Sequence, residues 1–131
     1  MGIVFAIELL LMVLLFIYLN FHLARKRMAE KVHHGHGEHE AVMRAVHAHH
    51  MSMGYTSLGV AMILYLWLQG IDATFAIIYG AALFIGCLLY AYSVLCYEVK
   101  HKDDYLFRKV GGSLALLAIF ASALTAFIAL L

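Results

Sequence analysis

Residues 3–23 read IVFAIELLLMVLLFIYLNFHL, an apolar run that contains one charged residue, Glu8, and is followed by the basic triplet at residues 25–27. Because a helix needs about 20 residues to cross a hydrocarbon core of about 30 Å, this run is long enough to span a membrane. A cleaved signal peptide has its basic residues before the apolar core, whereas here they follow it. The run therefore predicts a retained membrane-spanning helix.

Three further apolar runs lie at residues 51–68, 73–97 and 110–131, and the helix that contains the second run is expected to begin near residue 40. The 131 residues are 65% apolar and 13% charged, whereas a soluble domain is about 45–50% apolar. A chain of this size cannot bury so much apolar surface in water. The runs are continuous, which does not fit the alternation of a spanning strand. The sequence therefore predicts an all-α fold, a four-transmembrane-helix bundle that forms one domain over residues 1–131.

The lysines and arginines are unevenly distributed along the chain. All nine lie in or beside the first and third connections, and none lies in the turn at residues 69–72 or at either terminus. Basic connections stay on the cytoplasmic side. We therefore expect a multi-pass protein of a bacterial inner membrane or an endomembrane, with both termini on the non-cytoplasmic side. The net charge of +1 gives no field that would attract nucleic acid, so membrane lipids are the expected surroundings.

The start of the second helix is unusually polar for a membrane helix. At 3.6 residues per turn, one stripe of this helix carries Arg44, His47, Met51, Gly54 and Leu58. Charged and ring-nitrogen side chains are costly at membrane depth, so they are expected to face the bundle interior or the headgroup layer. The residues alone leave open both a ligand site and an interfacial helix end whose side chains snorkel to the lipid phosphates.

The residues RAVHAH at 44–49, with Tyr55 and Leu58, resemble the second-helix signature of the MAPEG family, the membrane-associated proteins in eicosanoid and glutathione metabolism. CLLYAYS at residues 87–93 is similar to the family's third-helix segment, in which Arg is followed by His or Tyr and then Ala-Tyr-Gly. RKVG at residues 108–111 is similar to the opening of the family's last helix. The resemblance covers essentially the whole chain and implies the MAPEG fold.

The chain departs from this signature where family members hold glutathione. The second-helix arginine, asparagine and glutamate of the family correspond here to His47, Met51 and Gly54. The carboxylate that would bind the amine of glutathione is therefore missing from the second helix, and Glu98 or Glu8 would have to replace it. The family-type residues that remain are Arg44, Tyr55, Tyr90 and, before the last helix, Arg108 or Lys109.

The resemblance implies a homotrimer with ligand sites between its subunits. The predicted function is that of a divergent member that binds a lipophilic small molecule, or a thiol such as glutathione, near the cytoplasmic boundary. An enzyme of this kind would be a glutathione transferase or peroxidase, with Arg108 as the catalytic thiolate stabiliser and Arg44 as a carboxylate clamp. A non-catalytic relative would instead present a bound lipophilic molecule to a partner. The residues expected to line the site are Arg44, His47, Met51, Tyr55, Tyr90 and Arg108.

A second hypothesis is a transition-metal site, because eight of the nine histidines lie between His22 and His50. His47 and His50 are spaced i,i+3 and His47 and Met51 are spaced i,i+4, so each pair can share one helical face. Imidazole suits several transition metals and thioether favours Cu(I). On this hypothesis the ligands are His47 and His50, with the histidines of the preceding connection nearby.

Several residues inside the spans have no assigned chemistry. Glu8 either faces the bundle or lies in the headgroup layer, and its position near a helix end favours the headgroup layer. Gly80, Gly86 and Gly111 are expected to let neighbouring helices approach closely. Aromatic residues of the third helix are expected to pack between helices, or else to line an apolar crevice; they are Tyr79, Phe84, Tyr90, Tyr92 and Tyr97.

Overall fold

The computed structural model describes residues 2–101 and 104–131, and it consists of four helices. They are α1 (Gly2–Ala29), α2 (Glu40–Leu68), α3 (Ala73–Lys100) and α4 (Leu106–Ile128). Each helix is long and apolar enough to cross a membrane, and these described residues contain no strand. The predicted all-α bundle of four transmembrane helices is confirmed.

The helices extend beyond the predicted apolar runs at their basic ends. α1 continues through residues 25–27 to Ala29, α3 continues past residue 97 to Lys100, and α4 begins at Leu106 rather than at residue 110. The helices are longer than the predicted spans because hydropathy marks the edge of the hydrocarbon, whereas lysine and arginine are good helix formers beyond it. Basic residues in the last turn of α1 also complement the helix dipole. Lys102, counted with the third connection, lies outside the described residues.

Two of the four helices form a central pair, and the other two pack against it. α2 and α3 pack against each other, and α1 and α4 each contact both of them. α3 and α4 cross at Gly86 and Gly111, where an added Cβ would lie 2.7 Å from the backbone nitrogen of Ala115 and 2.6 Å from that of Tyr90, respectively. Both distances are shorter than van der Waals contact, so the backbones approach this closely only because the two residues are glycines. The prediction of close approach is confirmed for this pair, within a single subunit.

Within α3, the residues Ser93–Tyr97 form a π-helical segment. The backbone N–H of Glu98 donates to the carbonyl of Ser93, five residues earlier. A π-helical turn holds one residue more than an α-helical turn. The end of α3 is therefore rotated by about 100° from the position that a regular α-helix would give it. The absence of proline predicts helices without proline kinks, and it gives no sign of this irregularity.

The connections follow from local sequence. Asp72 precedes α3, and its carboxylate accepts a hydrogen bond of 2.9 Å from the backbone N–H of Thr74, which holds the pKa of Asp72 below its usual value. The connection at residues 30–39 contains Gly35 and Gly37 with φ values of +65° and +56°. Glycine adopts this left-handed conformation at little cost, so the two glycines let the chain turn between the end of α1 and the start of α2.

Glu8 lies inside the bundle. Its residue is 9% exposed, it packs beside Gly80 of α3, and its neighbours on α1 include the buried Phe5 and Met12. Its Oε2 atom is buried and has no hydrogen-bond partner among the residues that the structure describes. The preference for the headgroup layer is wrong, because the missing side chain of Gly80 leaves room for the carboxyl group between α1 and α3.

Candidate functional site

A buried carboxylate, that of Glu98, forms the centre of a polar group at the basic end of the bundle. The residue is 3% exposed, and Ser93 Oγ donates to its Oε1 atom at 2.9 Å. Arg108 Nη2 donates to the Oε2 atom, and Arg44 Nη1 lies 3.9 Å from the same oxygen. Residues of α2, α3 and α4 thus meet at one carboxylate. We call Arg44, Ser93, Glu98 and Arg108 the Glu98 cluster.

The π-helical segment places Glu98 in this cluster. Glu98 lies eight residues after Tyr90, which in a regular α-helix would turn the two side chains about 80° apart. Because the π-helical turn holds one extra residue, Glu98 is rotated as if it lay seven residues after Tyr90, and the angle between the two side chains falls to about 20°. The same segment brings Ser93 and Glu98, five residues apart, to one face of α3, where their side chains form the hydrogen bond described above.

Both arginines of the cluster already have carboxylate partners. Arg44 Nη2 donates to Oε1 of Glu40, one turn earlier on α2, at 2.5 Å. Arg108 pairs with Glu98, and its guanidinium carbon lies 5.2 Å from the ring centre of Tyr105. Arg108 Nε is buried and has no hydrogen-bond partner within residues 2–101 and 104–131. The two positive charges are therefore compensated by the chain itself.

A histidine–tyrosine pair lies next to the Glu98 cluster. His47 Nε2 and the hydroxyl oxygen of Tyr90 are 2.7 Å apart, and His47 lies within electrostatic range of Arg108 and Glu98. Tyr55 meets the ring of Tyr90 edge-on, with 6.3 Å between the ring centres. Tyr90 is only 6% exposed, whereas His47 is exposed. The imidazole therefore forms the accessible part of this pair, and the two tyrosines support it from behind.

The surface of α2 beside His47 is open. A Cβ added at Gly54 would meet no atom of the described residues within 4 Å, and one added at Gly112 of α4 would lie 3.5 Å from the ring of Tyr90. Met51 is half-buried and packs against the apolar cluster that contains Tyr90. Gly112 is buried against Tyr90, whereas Gly54 leaves open surface on the same face of α2 as His47, two turns or about 10 Å further along the helix. Either lipid or a second subunit would cover this side of the subunit.

The structure brings together most of the residues that the sequence singled out. Arg44, His47, Tyr55, Tyr90 and Arg108 lie in one connected group, with Met51 packed beside it. Of the two carboxylates considered as substitutes, Glu98 belongs to the group. Glu8 does not, because it lies beside Gly80, about 15 Å along α3 from Tyr90 at 1.5 Å per residue.

Sequence reasoning missed how the Glu98 cluster is held together. It named Glu98 only as a replacement for an absent ligand-binding carboxylate, and it assigned no role to Ser93. The available signal was an acidic residue at the end of an apolar run, with Arg108 at the start of the next helix. The pairing itself joins residues 54 and 10 positions away from Glu98 in the chain, so no local pattern records it.

The histidines do not gather around a common point. Within residues 2–101 and 104–131, no group of three or more His, Cys, Asp or Glu side chains is placed to hold a metal ion. His47 is engaged with Tyr90, while His50 is exposed and its ring lies 5.8 Å from that of His49. The metal hypothesis therefore stays a prediction from residue types.

The aromatic residues of α3 make contacts in separate parts of the bundle. Tyr79 bonds to Thr125 Oγ1 at 2.8 Å, and Tyr97 donates to Asp104 at 2.7 Å. Phe84 and Tyr92 line an apolar groove of about 400 Å³ between α1 and α3. The five residues do not form one crevice, and only these last two contribute to this groove.

Comparison with protein families agrees with the four-helix fold. The model of the MAPEG family matches residues 5–128, nearly the whole chain. The chain belongs to the MAPEG family. No curated protein and no solved structure matches it. Family membership and the four long apolar helices make this MAPEG protein an integral, multi-pass membrane protein.

Proposed function

We propose that this MAPEG protein binds a lipophilic or thiol ligand at a subunit interface near the cytoplasmic boundary of the membrane. The observation that carries the proposal is the exposed His47, hydrogen-bonded to a buried Tyr90, with the open surface at Gly54 two turns further along the same face of α2. Polar groups at membrane depth are rare and tend to mark functional sites. A ligand site is normally an apolar surface with a few fixed polar groups, and this arrangement has that composition.

The proposed interface would be formed by a homotrimer. The outward faces of the four helices carry many exposed large apolar residues, among them Leu58 of α2, Tyr92 of α3 and Phe120 of α4. Lipid or other copies of the chain must cover these faces in a membrane. The opening beside His47 lies on one of these faces, so a second subunit placed there would close the site.

Transferase chemistry would need both arginines of the Glu98 cluster to act on glutathione. In such an enzyme Arg108 would stabilise the thiolate and Arg44 would hold a carboxylate, because a nearby cation lowers a thiol pKa. Both arginines are paired with carboxylates of the chain. Binding without group transfer therefore fits the arrangement of charges better than glutathione chemistry does.

The binding site is tested by substitution in protein reconstituted into lipid nanodiscs, with tritiated oleyl alcohol and glutathione as the two probes. His47→Ala and Tyr90→Phe are expected to weaken binding of whichever probe the wild-type protein takes by about tenfold, the upper range for one hydrogen bond. The matched controls are His50→Ala, on the same helix end, and Tyr18→Phe, on α1. Equal effects in the controls, or no binding of either probe, would contradict the proposed site.

The alternative, a transition-metal-binding membrane protein that uses His47 and His50, rests on the sequence alone. Elemental analysis of tag-free protein prepared without added metal tests it directly. Stoichiometric copper or zinc that is lost in His47→Ala would support this alternative, whereas metal content unrelated to that residue would reject it.

A further inference from the structure

Glu98 occupies the positions that a ligand carboxylate would need. Its Oε2 atom accepts from Arg108 and lies within ion-pair distance of Arg44, while Ser93 binds its Oε1 atom. Both carboxylate oxygens are thus engaged, and the side chain is nearly inaccessible. Glu98 compensates the charge of Arg108 and accepts a hydrogen bond from one of its N–H groups. Nε and Nη2 of Arg44 both donate to Glu40, so neither arginine keeps an unpaired charge for a second carboxylate.

The local charges are balanced without a ligand. Arg44 lies between Glu40 and Glu98, and Arg108 pairs with Glu98, so two cations are matched by two anions. A carboxylate of a ligand would come close to the negative charge of Glu98, and neither arginine of the cluster would have an unpaired positive charge to attract it. Like charges in a poorly solvated site repel strongly, so an anionic head group would be rejected.

The groups left for a ligand are neutral hydrogen-bonding partners. Whichever way the proton lies between them, His47 and Tyr90 present a neutral donor or acceptor. A hydroxyl or carbonyl oxygen suits these groups, and the free surface at Gly54 suits an apolar chain.

We propose that Glu98 is a specificity-determining residue, whose carboxylate occupies Arg44 and Arg108 so that the site takes a neutral lipophilic molecule with a hydroxyl or carbonyl head group and excludes carboxylates. This inference rests on the proposed function, since it assigns a ligand class to the same site. It also excludes glutathione, which carries two carboxylates, as a ligand of the wild-type chain.

The test compares two probes that differ only in the head group, tritiated oleyl alcohol and tritiated oleate, in nanodiscs of neutral lipid. The wild-type protein is expected to bind the alcohol at least about tenfold more tightly than oleate. Glu98→Gln keeps the shape of the side chain and removes its charge, so this variant is expected to gain at least about tenfold in oleate affinity. Its affinity for the alcohol should change much less.

A second variant shows whether the gained binding depends on the released arginine. Adding Arg108→Gln to Glu98→Gln removes one charge of each sign, and oleate affinity is expected to return to the wild-type level. Ser93→Ala removes one hydrogen bond from the Glu98 carboxylate but keeps its charge, so the gain in oleate affinity should be smaller. This variant replaces Glu98→Gln in the test if Glu98→Gln does not fold. The affinity for glutathione, measured by calorimetry, should change in the same direction as the affinity for oleate in every variant, and not as the affinity for the alcohol does.

The failures of the two proposals are distinguishable. If the wild-type protein binds oleate or glutathione as tightly as the alcohol, and Arg108→Gln abolishes that binding, the inference about Glu98 is overturned while the binding site stands. If no probe binds any of these proteins, the proposed function itself fails, and the inference fails with it.

Discussion

Single residues without a side chain decide where the buried polar groups of this protein can lie. Gly80 admits the carboxyl group of Glu8 between α1 and α3, and Gly54 leaves the surface beside His47 free. Among residues 2–101 and 104–131, Glu8 and Glu98 are the buried acidic residues, and they differ in their partners. Glu98 has a serine and an arginine, whereas Oε2 of Glu8 has no partner within the described part of the chain. A polar group buried without a partner destabilises a fold.

At Glu8, removal of the carboxyl group should therefore stabilise the protein. Glu8→Met keeps a long unbranched side chain and removes the unpaired oxygen, and we expect the free energy of unfolding to rise by about 1–3 kcal/mol. Chemical denaturation in detergent measures it. Glu30→Met, at an exposed carboxylate paired with His39, is the control and should change stability by at most about 1 kcal/mol. A loss of stability in Glu8→Met would mean that the carboxyl group has a partner in the assembled protein.

Among the helices, glycines bring the backbones of α3 and α4 into direct contact. Gly86 and Gly111 allow two backbones to touch, and this contact lies next to Tyr90, which carries the hydrogen bond to His47. Little hydrophobic driving force acts between helices inside a bilayer, so close van der Waals packing of this kind supplies much of the association. The site therefore depends on how closely these two helices pack.

Two neighbouring glycines of α4 provide a matched test of this contact. In Gly111→Ala the new Cβ would meet backbone atoms at 2.6 Å and 2.7 Å, whereas in Gly112→Ala its nearest contact is the ring of Tyr90 at 3.5 Å. We expect Gly111→Ala to lower the thermal unfolding temperature markedly, with a loss of about 1–3 kcal/mol from overpacking. Gly112→Ala should be close to neutral. Equal effects of the two substitutions would show that α3 and α4 cross elsewhere.

For the whole molecule, the distribution of charge sets the expected orientation. The basic residues of the first and third connections and the Glu98 cluster lie at the same end of the bundle, and the turn at residues 69–72 lies at the other. Under the positive-inside rule this basic end faces the cytoplasm. A ligand would then enter the site laterally from the cytoplasmic leaflet or from the cytoplasm.

Cysteine labelling on intact bacterial cells tests this orientation. In a Cys96→Ala background, where the remaining Cys87 is buried, a membrane-impermeant maleimide should label Gln69→Cys and should not label His34→Cys. Permeabilised cells, in which both variants should react, are the control. Labelling of His34→Cys in intact cells would reverse the orientation and place the candidate site on the outer side.

The sequence alone determined the four spans, their order and the family, because an apolar run about 20 residues long has few structural solutions other than a spanning helix. It also identified the polar start of α2, since Arg44 and His47 stand out in a membrane helix. It did not determine which carboxylate meets the arginines. Helical periodicity assumes about 100° per residue, and the π-helical segment at Ser93–Tyr97 breaks that assumption by one residue. Only tertiary structure decides this, because the contacts that accompany the irregular turn, from Glu98 to Arg108 and Arg44, come from distant parts of the chain.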